Sequence, residues 1–204
     1  MAGQHDGHLG AVYAARDTAE VAAAYDAWSD TYEAEMRMAG YRHPSVGLAL
    51  LSRHLPRGAG PVLDAGAGTG LIGEWLAILG YPAVEALDLS GGMLAVAARK
   101  RVYSRLTQGA MGGPLPYADG AFAAVVSTGV FTTGHVGAEA LPELFRICRP
   151  GGVIVLTVKL TVWEAGIDGW LTEQGVERIE TTAPYVSMPG EAATTPSLAA
   201  VLRV

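Results

Sequence analysis

The sequence predicts an α/β protein: a mostly parallel sheet covered by helices on both faces. Three observations carry this. Short, near-continuous apolar runs alternate with segments whose apolar residues recur at helical spacing, as expected of strands buried on both sides. One such run, Val62-Leu63-Asp64, breaks into Gly66, Gly68 and Gly70 at alternate positions and passes straight into a helical pattern. The chain has 204 residues, 50% hydrophobic and 17% charged, enough for one domain with a sizeable core.

The elements follow in order. Met1 to His8 is polar and lacks the charged-then-apolar order of a secretion signal. No apolar stretch reaches the roughly 18 residues of a membrane span. A soluble cytoplasmic protein without a membrane partner is expected. Thr18 begins a helix that runs through Tyr25 and Trp28 to Tyr32, and a second helix spans Pro44 to Leu55. This pair has no place in the sheet order, so residues 1–55 are predicted to cap the sheet edge or a ligand crevice as a lid. Residues 56–204 then form the core of the same single domain. Leu71 to Ala77 is the helix after the glycine loop, Ala83 to Asp88 the second strand, and Gly91 to Tyr103 a helix capped by Ser90. Phe122 to Ser127 is a strand and Ala138 to Cys148 a helix. Pro150-Gly151-Gly152 turns into Val153 to Val158, the most β-branched run. Arg178 to Thr182 and Leu198 to Val204 are expected as an antiparallel hairpin at one edge.

Composition narrows the function. A net charge of −6 argues against a nucleic-acid partner. The densest basic run, Arg99-Lys100-Arg101 with Arg105, reads as a helix end where cations complement the dipole. Cys148 is the sole cysteine, which rules out an intramolecular disulfide and a cysteine-based metal site, and no metal is predicted.

A glycine-rich turn between strand and helix lets backbone approach a ligand closely, but many cofactor folds use one. Dinucleotide spacing started at Gly66 and Gly68 requires its third glycine at position 71, which is Leu71. No Gly-Lys-Ser/Thr follows, which removes a phosphate-binding P-loop. Asp64-Ala65-Gly66-Ala67-Gly68-Thr69-Gly70 resembles motif I, E/D-x-G-x-G-x-G, of the class I S-adenosylmethionine (SAM)-dependent methyltransferases. The resemblance implies a Rossmann-like sandwich with a mostly parallel seven-stranded sheet and one antiparallel edge strand.

Asp88 closes the second strand, where ligands of open α/β sheets bind, and an ionised carboxylate there can accept both ribose hydroxyls. Asp88-Leu89-Ser90-Gly91-Gly92-Met93 resembles the segment that follows motif I in small-molecule SAM methyltransferases, which implies that Leu89 and Met93 flank the adenine. Gly109 to Phe122 is similar to the family's Gly-Asp-Ala-x-x-Leu-Pro-Phe-x-Asp-x-x-Phe-Asp, with two departures. Ala124 (or Ala123, depending on register) replaces the aspartate after phenylalanine. Ala110 replaces the one that accepts a hydrogen bond from the adenine amine, leaving the backbone of Ala110 and Met111 to compensate. The implied cofactor set comprises Asp64, Gly66, Ala67, Gly68, Thr69, Gly70, Asp88, Leu89, Met93, Ala110, Met111, Thr128 and Gly129, with Trp28 and Tyr32 from the lid.

The chemistry is less marked. Asn/Asp-Pro-Pro-Tyr and Pro-Cys, which serve base and pyrimidine methylation, are absent after the fourth strand. Thr132-x-Gly-His-Val, with Tyr25-Asp26-x-Trp28, Tyr32 and Gly40-Tyr41-x-x-Pro44, resembles a subgroup of small methyltransferases that includes the Williams–Beuren syndrome region methyltransferase. His135 is the candidate catalytic base, against the alternative of a histidine that shapes its loop. Tyr25, Trp28 and Tyr32 fall near one helical face and either pack as core or cover the methionine end of the cofactor. Tyr13 and Tyr185 are further candidates for the lid and the opposite wall. The expected function is methyl transfer from SAM to a small molecule. The alternatives are a SAM-using enzyme of different chemistry, such as cyclisation that releases methylthioadenosine, or a non-catalytic SAM-binding module.

Overall fold

The computed structural model describes residues 7–191 and 194–204. Its helices and strands, in chain order, are α1 (Gly7–Ala14), α2 (Thr18–Trp28), α3 (Tyr32–Met38), α4 (His43–His54), β1 (Val62–Ala65), α5 (Leu71–Ile78), β2 (Val84–Asp88), α6 (Gly91–Lys100), β3 (Arg105–Gln108), β4 (Phe122–Phe131), α7 (Leu141–Ile147), β5 (Cys148–Lys159), α8 (Leu160–Val162), α9 (Asp168–Glu173), β6 (Arg178–Thr181) and β7 (Ser197–Arg203). One seven-stranded sheet has the order β3-β2-β1-β4-β5-β7-β6. β7 runs antiparallel to both neighbours, while the pairings among the first five strands of that order are parallel.

The apolar runs explain this sheet. Side chains alternate across a strand, so Leu63, Val125, Ile154 and Leu156 enter one core with α7, and Val62, Ala124, Val126, Val153 and Val155 enter another with α4 and α5. All four residues of β1 are buried. The reversal between β1 and β4 opens the crevice at the carboxyl ends of the strands.

Four features depart from the sequence expectations. β3 is a polar, half-exposed edge strand, Arg-Leu-Thr-Gln, with no apolar run to announce it. Arg105 therefore belongs to β3, where its guanidinium lies 5.4 Å from the centroid of the Tyr117 ring, and not to a helix end. The expected Thr18–Tyr32 helix is two helices: Ser29 caps α2 by donating its Oγ to the Asp26 carbonyl, and Tyr32 opens α3. α1 and the helical stretch over 160–173, which contains a π-helical turn at Trp163–Ile167, have no counterpart in the expectations.

The N-terminal helices close over the strand ends. Asp26 on α2 accepts hydrogen bonds from Ser90 Oγ (2.5 Å) and Gly92 N (2.8 Å), joining Ser90 at the N-terminus of α6. Lys100 Nζ pairs with Glu33 on α3 at 2.7 Å. Beneath them, Val12, Trp28, Met36 and Ala39 form a small core with Met93 and Met188.

Candidate functional site

The loop after β1 is held from behind. Gly66 N and Ala67 N donate to the Leu87 carbonyl at 2.7 and 3.0 Å. Gly66 has φ +79°, and a Cβ there would stand 2.1 Å from Val130 Cγ2, so only glycine fits. Gly68 N donates to Asp88 Oδ2 at 2.7 Å, and Ser90 N to Oδ1 at 2.8 Å. Each oxygen thus takes one of these backbone bonds, and a carboxylate offers about four lone-pair positions. Burial pushes the Asp88 pKa up, while the backbone N–H groups of Ser90, Gly68 and Leu89 oppose this and the Asp26 charge adds to it.

Asp88 faces a cavity of about 320 Å³. Gly66, Gly68 and Leu87 form one wall, with Leu89, Met93, Gly109, Ala110 and Met111 beside them. Thr128, Gly129, Val130 and residues 134–136 lie across from these, and Arg16, Asp17, Thr18, Val21, Tyr25, Tyr32 and Tyr41 come from the N-terminal segment. The cavity therefore gathers eleven of the predicted residues: Gly66, Gly68, Asp88, Leu89, Met93, Ala110, Met111, Thr128, Gly129, Tyr32 and His135.

Five predicted residues do not reach that wall. Asp64 is fully buried behind the loop, where Tyr103 Oη donates to its Oδ2 at 2.6 Å. Burial outweighs this bond and raises the Asp64 pKa to about 7. Ala67 and Thr69 are buried, and Gly70, at φ +84°, caps α5 against the Tyr103 ring. Trp28 is 1% exposed because α2 ends with its ring turned into the lid's own core, edge-on to Tyr32 at 4.9 Å. Asp64 and Gly70 thus pack behind the loop against Tyr103, and Trp28 within the lid. Ala110 brings a methyl group to the cavity where the family pattern has a carboxylate.

His135 sits between this cavity and a smaller chamber of about 40 Å³. Its Nδ1 lies 2.9 Å from Thr132 Oγ1 and 3.3 Å from the Thr133 carbonyl. Nε2 is buried with no hydrogen-bond partner among the described residues. Burial lowers the His135 pKa, and the Thr133 carbonyl partly restores it. Tyr13 meets the imidazole edge-on at 5.8 Å and lines the chamber. His43 and Lys159 line the chamber too. His43 Nδ1 is 2.8 Å from Tyr185 Oη, so Tyr185 supports the chamber through His43. Burial, then the nearby Lys159 charge, pushes the His43 pKa down to about 3.

The sequence reading missed Arg16 to Thr18, Val21, Tyr41, His43 and Lys159. Lys159 alone carried a usable signal: it ends β5, and the carboxyl ends of such strands are where ligands bind. The others belong to segments whose placement depends on long-range packing.

This architecture is that of the Rossmann-like class I methyltransferases: a glycine loop and an acidic strand end facing one cavity beside a seven-stranded, mostly parallel sheet. Residues 63–156 match the methyltransferase domain family, which implies SAM as the cofactor. The chain is 35% identical over 141 residues to methyltransferase-like protein 27 of Homo sapiens, covering 66% of this chain and 56% of that protein. It spans between 36% and 64% of the length of the curated relatives it matches. The TehB-like SAM-dependent methyltransferase of Corynebacterium glutamicum shares the fold at TM-score 0.64 and 23% identity, over 87% of this chain and 98% of that one. The [4+2]-cyclase SpnF does so at TM-score 0.69 and 18% identity, over 93% and 96%.

The residues present fit the cofactor. Asp88 keeps lone pairs for two ribose hydroxyls, and Leu89, Met93 and Met111 offer apolar surface to a flat base. At Gly68, which lines the cavity at φ +55°, a Cβ would meet no protein atom within 4 Å, so packing does not demand this glycine. Among the described residues, no helix is long and apolar enough to cross a membrane.

Proposed function

We propose that this chain is a SAM-dependent methyltransferase of a small-molecule acceptor, within the subgroup that includes the Williams–Beuren syndrome region methyltransferase. A cytoplasmic location accords with its one cysteine being a buried free thiol. The observation that carries the reading is a shared wall. Tyr25, Tyr32, Tyr41, Gly129 and His135 line both the cavity that holds Asp88 and the smaller chamber, so a ligand in one borders the other.

When bound, SAM supplies an electrophilic methyl group on a sulfonium. Asp88 accepts the ribose hydroxyls, Leu89 and Met93 flank the adenine, and the backbone of Ala110 and Met111 replaces the missing carboxylate. Tyr25 and Tyr32 bring ring surface from the lid, which excludes water and suits a cation. His135 is the base. With Nδ1–H donated to the Thr133 carbonyl or the Thr132 hydroxyl, Nε2 keeps its lone pair and takes the proton of the acceptor. A buried, partner-free Nε2 supports this over a purely loop-shaping role. A site lined by glycine and tyrosine at the acceptor side, on a chain of net charge −6, suits a metabolite better than a nucleic acid.

Mass spectrometry after incubation with SAM and pooled small acids, phenols and amines tests the reading. S-adenosylhomocysteine that appears only with an acceptor is expected. Methylthioadenosine would replace methyl transfer with another SAM reaction, and binding without turnover across the pool would leave a SAM-binding module.

A further inference from the structure

The chamber beside His135 contains a lysine with no counter-ion among the described residues. Lys159 is 5% exposed, at the end of β5. Its Nζ donates to the Thr195 carbonyl at 2.8 Å and lies 3.5 Å from Ser187 Oγ, both neutral. An ammonium has three protons, so one remains for a ligand. No carboxylate among the described residues lies within ion-pair distance of it. His43, which lines the same chamber, is held neutral by burial and by the Lys159 charge, and brings no negative charge. A buried charge left unpaired is costly, and burial accordingly lowers the Lys159 pKa; an anionic group in the chamber would supply the missing counter-charge and hold the ammonium protonated.

We infer that Lys159 recognises the acceptor, and that the chamber receives the carboxylate of a small organic acid. This rests on the methyltransferase reading and deepens it. The remaining walls are mainly aromatic rings and methionines, among them Trp28, Tyr41, Met36 and Met188. They leave Lys159 as the element that distinguishes an anion from a neutral group. A volume of about 40 Å³ is room for a few waters, hence for one carboxylate group and not for a whole molecule. The body of the acceptor then extends past His135 toward the larger cavity, where its nucleophilic atom meets the methyl donor. Carboxylate recognition and proton removal thus fall to separate residues, Lys159 and His135. Lys159 is a specificity residue and takes no part in bond making.

Competitive binding to the protein saturated with S-adenosylhomocysteine tests this. The probes are acetate, benzoate and phenylacetate, each against its amide, titrated by calorimetry or NMR. At least one acid is expected to bind 10-fold or more tightly than its amide. Lys159→Met should abolish that preference while the S-adenosylhomocysteine Kd stays within twofold. Equal binding of acids and amides, no binding by any of the three acids, or a preference that survives in Lys159→Met would overturn the inference. The acid–amide comparison in the unaltered protein decides the matter even if the variant does not fold. Failure of S-adenosylhomocysteine itself to bind is read separately and strikes the methyltransferase reading instead.

Discussion

Asp88→Asn isolates the charge at the centre of the cofactor site. In the native protein each oxygen accepts one backbone N–H, from Gly68 or Ser90, and a lone pair on each remains for a ribose hydroxyl. Hydrogen bonds to an ionised group contribute about 1.5–3 kcal/mol, against roughly 0.5–1.5 for neutral pairs. Removing the charge from two of them therefore costs about 2 kcal/mol, roughly 30-fold in affinity. The carboxamide has one acceptor oxygen, so either Gly68 N or Ser90 N also loses its partner, at about 1–3 kcal/mol of stability. Calorimetric titration with S-adenosylhomocysteine measures the first loss, and urea denaturation without ligand measures the second. Affinity within threefold of the native protein, in a variant shown to be folded, would refute the ribose role. Acid gives an independent arm. Burial raises the Asp88 pKa, so cofactor affinity is full above it and falls, as pH drops, sooner than for an exposed aspartate.

Other outcomes follow from the same geometry. Removal of residues 1–40 should weaken S-adenosylhomocysteine binding at least 10-fold, because Tyr25 and Tyr32 leave the cavity wall; unchanged affinity and turnover would show that the N-terminal helices are not a lid. His135→Gln should cut kcat about 100-fold with cofactor affinity preserved, and the native rate should rise with pH through a pKa below 6.5, because the neutral imidazole is the active form. The Asp64 carboxyl, raised to about 7 when folded from 3.8, binds its proton more tightly in the native state, so stability is greatest below about pH 4 and declines toward pH 7. Asp64→Asn should flatten that decline, which is at most of the order of 4 kcal/mol at 1.36 kcal/mol per tenfold of proton affinity; parallel pH–stability curves for both proteins would exclude it.

What the sequence revealed depended on how local each determinant is. The place of Asp88 on the cavity wall was legible because it ends a strand beside a glycine turn. The loop was legible as a motif but not residue by residue. Its alternate glycines announce a ligand-binding turn, yet Asp64 and Gly70 face backwards onto Tyr103 and Thr69 is buried, and no spacing says which side of a tight turn a side chain takes. β3 was invisible because an edge strand needs no apolar run. The aromatic series Tyr25, Trp28 and Tyr32 misled in another way. Its i, i+3 and i+7 spacing implies one helical face, but the chain breaks at Ser29, so Tyr32 reaches the cavity while Trp28 turns into the lid core.

The smaller chamber was the least legible part, for a physical reason. Its contacts join residues far apart in the chain: His43 meets Tyr185 across 142 positions, and Lys159 reaches Thr195 across 36. Neither pair lies in a repeated pattern, and each becomes a site only when α4, β5 and the segment before β7 converge. The wall around Asp88, by contrast, draws Gly66, Gly68, Leu89, Met93, Ala110 and Met111 from positions 66–111, a stretch whose motif is local. A protein that binds one common cofactor and one particular acceptor is expected to divide in this way. The shared ligand would be met by a short local geometry of strand, turn and helix, and the particular one by whatever long-range packing places at the ends of β4 and β5. Lys159 is where the two kinds of information meet: a local rule, the end of a strand, marks its position, and tertiary burial without a counter-ion gives that position chemical meaning.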